Sequence, residues 1–119
     1  HLNKGNFGNQ VLICVELLHQ IYTPHISIQD QPVLLLPELL LDSYGHGWFI
    51  SSYCGNKVIN HGGNIDGFSS LVSCIPTENI GLVILTNAGG TLLPTYLANQ
   101  IYDELLELES IDWHKRAEE

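Results

Sequence analysis

Asn60-His61-Gly62-Gly63-Asn64-Ile65-Asp66-Gly67-Phe68-Ser69-Ser70 holds three of the eleven glycines of this 119-residue chain. Apolar runs that favour β-structure flank it on both sides. It sets a histidine and two amide side chains where one strand ends and the next begins. Working outward, the pattern predicts strands over residues 44–53, 57–63, 68–75 and 80–87. Gly55-Asn56 gives a hairpin signal between the first two. A glycine-punctuated turn follows over 62–67, and Pro76-Thr77-Glu78-Asn79 makes a further turn. With connections this short, the strands form an antiparallel meander. The fourth strand is apolar at nearly every position, which predicts a central place with both faces covered.

After Asn87-Ala88-Gly89-Gly90, a helix is predicted over 92–108, with Thr91 as its cap and Pro94 in its first turn. Leu93, Leu97, Ile101, Leu105 and Leu108 make an apolar stripe at helical spacing. That stripe is expected to pack on the sheet, so the fold class is α+β. Toward the N-terminus, residues 5–10 read as a loop and 15–22 as a short helix closed by Thr23-Pro24. Residues 25–31 look polar and irregular, and 32–41 read equally as a buried strand or an apolar loop. His1 to Gly5 resembles the last turn of a helix with a glycine stop, which suggests a piece of a larger protein. Residues 1–113 are read as one domain segment and 114–119 as a charged tail or linker.

Composition excludes several function classes. Thirteen acids against four bases give a net charge of -9. Nucleic acid and anionic membrane both call for clustered Lys and Arg, so neither is expected as a partner. The 32–41 run is too short to span a bilayer. Three widely spaced cysteines (Cys14, Cys54, Cys74) read as buried free thiols, with a Cys54–Cys74 bridge as the weaker alternative. No two of the six histidines have zinc-ligand spacing on one element, Asn64-Ile65-Asp66-Gly67 lacks the remaining acidic positions of a calcium loop, and there is no Gly-x-Gly-x-x-Gly or phosphate loop, so neither a metal nor a cofactor is expected.

The central stretch carries the remaining chemistry. A plain hairpin turn would account for one or two of its glycines through positive φ. The functional reading is that Gly62 and Gly63 let a substrate approach the strand closely. The Asn64 N–H would then face an acyl oxygen, and His61 would donate a hydrogen bond or act in acid–base chemistry. No nucleophile accompanies them. There is no Gly-x-Ser-x-Gly, no Ser-x-x-Lys, no Tyr-x-Asn and no Ser-x-Asn in the chain. Cys54-Gly55-Asn56-Lys57 has a comparable spacing but falls on a hairpin, where it reads as structural.

Three segments in order resemble the C-terminal part of the β-lactamase-related serine hydrolases. They are Tyr44-Gly45-His46-Gly47-Trp48, the stretch 60–70, and Ile75-Pro76-Thr77-Glu78-Asn79-Ile80-Gly81-Leu82-Val83-Ile84-Leu85-Thr86-Asn87. That superfamily takes in class C β-lactamases, penicillin-binding proteins, D-aminopeptidases and related esterases. The resemblance implies a partial β-lactamase/transpeptidase-like fold and an extracytoplasmic setting. It also implies that His61-Gly62-Gly63 occupies the place of the family's third motif, Lys-Thr-Gly. His61 would then stand where the lysine would be, Gly63 would give substrate clearance, and the Asn64 N–H would be the second oxyanion donor.

By the same resemblance the substrate is a small-molecule or peptide-like acyl compound. The first two motifs would come from a missing N-terminal part of the same protein. Replacing Lys and Thr by His and Gly removes groups that hold a β-lactam carboxylate, which favours ester, amide or peptide-like substrates. The alternative is a non-catalytic sheet-plus-helix binding module or degenerate relative.

Overall fold

The computed structural model describes residues 2–28 and 38–117. Most of the 32–41 run therefore lies outside the described residues. Two short strands, β1 (Asn6–Phe7) and β2 (Gln10–Val11), pair as a small antiparallel ladder where a loop was expected. Helix α1 (Val15–Ile21) matches the expected short helix. Strands β3 (Ile26–Ser27), β4 (Leu39–Tyr44), β5 (Phe49–Tyr53), β6 (Asn56–Ile65), β7 (Phe68–Ile75) and β8 (Ile80–Thr86) follow, with a 3₁₀ turn at Pro76–Glu78. Helix α2 (Leu93–Leu105) and helix α3 (Trp113–Ala117) close the described chain.

The six later strands succeed one another in the sheet in chain order, β3-β4-β5-β6-β7-β8. This is the α+β meander that the sequence predicts, with two strands added before it. Tyr44 and Phe49 fall on different strands: Tyr44 ends β4, and a turn through Gly45–Trp48 separates it from β5. The expected 44–53 strand is thus half turn, because Gly47 takes a φ of +80°. The β5–β6 hairpin turns on Cys54-Gly55, with φ values of +46° and +82°, one residue earlier than expected.

The larger difference lies in β6. It runs on through Ile65, so the 62–67 segment is strand for four residues. Only Asp66-Gly67 turns, and Gly67 carries the positive φ of +81°.

The chain divides into two compact units. The first comprises residues 1–61 and 73–81. Leu18, Tyr22, Ile59 and Cys74 form its buried cluster, edged by Leu2, Ile13, Ile21 and Trp48. Tyr53 and Ile59 are almost fully enclosed. Burying each side chain of this size stabilises the fold by roughly 1.5–3 kcal/mol. Lys57 reaches back and donates through Nζ to the Tyr22 carbonyl at 3.2 Å. The lysine of the Cys-x-x-Lys spacing is therefore tied to packing, and Cys54 lies exposed on its turn.

The second unit comprises residues 62–72 and 82–119. Its α2 helix departs from expectation. The Leu93, Leu97, Ile101 and Leu105 stripe is largely exposed, and the buried face is Pro94, Ala98, Asn99, Tyr102 and Asp103. Asp103 can lie in the interior here because it has local partners. Its Oδ2 accepts from the Trp113 indole Nε1 at 2.9 Å and from the Ile111 N–H at 3.4 Å. That pairing folds α3 back onto α2, with Arg116 lying over the Trp113 ring.

β8 is last in the strand order, not central as expected. Its burial alternates, and Val83 and Leu85 are 67% and 77% exposed. An unbroken apolar run shows that both faces of a strand are apolar. It does not show what covers them. All three cysteines are free thiols; Cys74 is buried, whereas Cys14 and Cys54 are exposed.

Candidate functional site

His61, Gly62, Gly63 and Asn64 are consecutive residues of β6. Their surroundings follow from where β6 leaves its partner. The β5–β6 register runs from Tyr53–Asn56 to Phe49–Asn60 and stops there. His61 is the next residue and is exposed. Its Nε2 lies 3.1 Å from the Tyr44 hydroxyl. Its ring meets those of Phe49 (centroids 5.6 Å apart) and Tyr44 (6.0 Å). Tyr44 and Phe49 contact each other edge to face at 4.7 Å. The ladder sets these spacings, since Tyr44 pairs with Phe49 across β4–β5 and Phe49 pairs with Asn60 across β5–β6.

In the second unit, Gly62 and Gly63 have ordinary extended backbones. A Cβ on Gly62 would meet the Ser70 carbonyl oxygen at 3.6 Å, an ordinary contact. One on Gly63 would meet the Ser70 Oγ at 2.9 Å, close enough that the hydroxyl must move. That hydroxyl donates to the Gly63 carbonyl at 3.4 Å. The Asn64 side chain is engaged as well: its Oδ1 accepts from the Ser69 Oγ at 2.6 Å. Ser69 is held in turn, because the Thr86 hydroxyl donates to its carbonyl at 3.0 Å.

Beside these residues lies an open hollow of about 410 Å³. Gly63, Asn64 and Ser70 line it, with Ile65, Phe68 and Leu85 making it mainly apolar. Its size is in the range of small-molecule sites.

Sequence reasoning did not anticipate Tyr44 and Phe49 beside His61, or Ser69 and Ser70 beside Asn64 and Gly63. Tyr44 stands in a motif that was singled out, but its pairing with His61 depends on strand register. Among the described residues no group of three or more His, Cys, Asp or Glu is placed to hold a metal ion. No helix of the described residues is long and apolar enough to cross a membrane.

No protein-family model matches the chain. Protein flp of Staphylococcus aureus, strain COL among others, is 32% identical over 53 residues, which is 44% of this chain and 10% of that protein. Among solved structures, the octameric penicillin-binding protein homologue from Pyrococcus abyssi superimposes with a TM-score of 0.69. It is 24% identical, and the match covers 85% of this chain and 21% of that one. The chain thus spans about a tenth of the curated relative and about a fifth of the solved structure. The likeness establishes a penicillin-binding-protein-like fold.

Proposed function

We propose that this chain is the C-terminal part of a serine hydrolase domain that works through an acyl-enzyme on amide, ester or β-lactam-type substrates. Residues 1–113 form the domain segment and 114–119 a tail. The observation that carries the reading is the backbone of Gly62 and Gly63. Both lie inside a strand with no positive φ, so turn geometry does not account for them. Glycine in a strand interior weakens it, and close approach of a ligand or another backbone is the usual compensation.

In the proposed reaction a serine from the missing N-terminal part attacks the substrate carbonyl carbon, and the amine or alcohol departs with a proton. Water then attacks the acyl-serine ester and releases the acid. The Asn64 N–H stabilises the oxyanion in both steps, as one of two donors. His61 is a hydrogen-bonding or proton-transfer group at the rim. Gly62 and Gly63 give clearance, and the apolar hollow beside Gly63 takes the acyl side chain. No cofactor or metal enters this scheme.

The missing part of the protein is also the proposed partner for the exposed apolar side chains of the second unit, among them Val83, Leu85 and Phe68. The net charge of -9 disfavours nucleic acid in that role.

A fluorophosphonate probe tests the reading. The 119-residue chain alone should take up no label. The complete gene product should be labelled on one serine that lies before His1. Label on any serine of the present chain would overturn the division of labour. An unlabelled complete product that still binds acyl compounds would favour the non-catalytic module.

A further inference from the structure

Two histidines that no spacing along the chain connects meet in the first unit. The rings of His25 and His46 lie 4.1 Å apart between centroids, with their planes tilted by 43°. Both residues are exposed.

The backbone brings the rings together. His25 follows Thr23-Pro24 just before β3, and its N–H donates to the Tyr44 carbonyl at 3.0 Å. His46 lies in the turn after β4, and its N–H donates to the Ile21 carbonyl at 3.2 Å. The Gly45 N–H closes that turn by donating to the Trp48 carbonyl at 2.8 Å. Gly45 also lets the two segments approach. A Cβ there would stand 2.5 Å from the Ile21 carbonyl oxygen and 2.9 Å from that of Thr23.

The tautomer of His25 follows from its partner. Its Nε2 lies 3.1 Å from the Gln20 carbonyl oxygen. A carbonyl only accepts, so Nε2 carries hydrogen and the neutral ring keeps its lone pair on Nδ1. Metal-binding histidines ordinarily donate their second ring nitrogen in this way, a backbone carbonyl being one of the usual acceptors. Among the described residues, no hydrogen bond engages Nδ1 of His25 or either ring nitrogen of His46.

We propose that His25 and His46 chelate a divalent first-row transition ion, His25 through Nδ1 and His46 through a ring nitrogen. Water fills the remaining positions, since no group of three or more His, Cys, Asp or Glu is placed to hold an ion among the described residues. Imidazole suits nickel, copper and zinc, whereas magnesium and calcium take oxygen ligands. Metal–nitrogen bonds of about 2.1 Å set two ring centroids about 4.6 Å apart at a right angle and about 5.3 Å apart at a tetrahedral angle. The 4.1 Å separation is nearer the first value, the geometry of nickel(II) and copper(II). The site uses no residue of the His61–Asn64 run, so it does not depend on the hydrolase reading.

Nickel chloride titrated into the 119-residue chain tests the proposal. The titration is run at about pH 7.5, where an imidazole is mainly neutral. Nickel avoids the oxidation that copper(II) would cause at the exposed Cys14 and Cys54 thiols. A His1→Ala background removes competition from a terminal amine–imidazole chelate. Imidazole ¹H–¹⁵N signals are assigned by backbone-to-ring correlation. The His25 and His46 signals should shift or broaden together, at less nickel than affects His19 or His114. By calorimetry, His25→Gln and His46→Gln should each weaken nickel binding by about tenfold or more. Magnesium chloride should leave both rings unchanged.

Broadening spread evenly over the histidines would overturn the proposal, and so would a nickel affinity unchanged in either variant. The nickel titration of the parent chain decides even if a variant fails to fold.

Discussion

The two halves of β6 make different use of one strand. Asn56–His61 pairs with β5 as far as Asn60 and buries Val58 and Ile59, with Lys57 and His61 exposed. Gly62–Ile65 is exposed at every position and opens with two residues that have no side chain. The first half puts Val58 and Ile59 into the interior. The second presents backbone, and its glycines are not required by φ. At Gly63 the fold has its own use for glycine, since a Cβ there would press on the Ser70 hydroxyl at 2.9 Å, whereas at Gly62 a Cβ meets only an ordinary contact.

The largest expected effect is in the buried half. Ile59→Ala should destabilise the chain by about 3 kcal/mol in denaturant unfolding, from lost burial plus a residual cavity. A loss below about 1 kcal/mol would mean that the packed half is not packed. Asp103→Ala asks whether the second unit has an interior of its own. It strands the Trp113 indole N–H and should lower stability by about 2 kcal/mol.

Gly63→Ala should be milder, at about 1 kcal/mol, because only the Ser70 hydroxyl must turn away. Combined with Ser70→Ala, which removes only the hydroxyl, Gly63→Ala should cost less than it does alone, and an additive double mutant would show that the clash lies elsewhere. Gly62→Ala should change stability by no more than about 0.5 kcal/mol, since its Cβ meets only an ordinary contact.

Two buried groups give a pH signature confined to the first unit. Burial pushes the Cys74 thiol up from its ordinary value and does the same to the Tyr22 phenol. Their contribution to stability is therefore complete below the ordinary thiol range. It is lost as pH rises, because the unfolded chain ionises first. Unfolding free energy measured across the alkaline range should fall, and Cys74→Ala should flatten the earlier part of that fall. A thiol reagent at pH 8 should modify Cys14 and Cys54 in the native chain and spare Cys74 until it unfolds.

Much of the architecture was legible because turn chemistry and period-two patterning are local. The 68–75 and 80–87 strands and the helix after Gly90 came within a few residues of their observed limits. On α2 the most apolar face is not the buried one, and on β8 an apolar face is left exposed. On α2 the leucines face outward and Asp103 faces in, since a paired carboxylate can be buried when Trp113 and Ile111 supply donors ten and eight residues on. β8 failed for a related reason: its composition reports what both faces tolerate, and its position in the sheet depends on partners.

Of the candidate site, His61, Gly62, Gly63 and Asn64 are singled out by the family resemblance, spacing alone being equally met by a plain hairpin turn. The Tyr44 and Phe49 contacts could not be read from either. They arise from cross-strand register over seventeen and twelve residues of sequence, with a turn between them that was expected to be strand.

The central proposal is that Gly63 gives a substrate room beside the strand, in addition to the space it leaves for the Ser70 hydroxyl. The direct measurement is the rate at which the complete gene product takes up a fluorophosphonate probe, compared between wild type and Gly63→Val at matched folded concentration. Side-chain volume at the strand should slow labelling by on the order of a hundredfold, comparable to loss of an oxyanion donor, with a native amide or circular-dichroism spectrum retained. Labelling of a folded Gly63→Val protein at the wild-type rate would contradict the account.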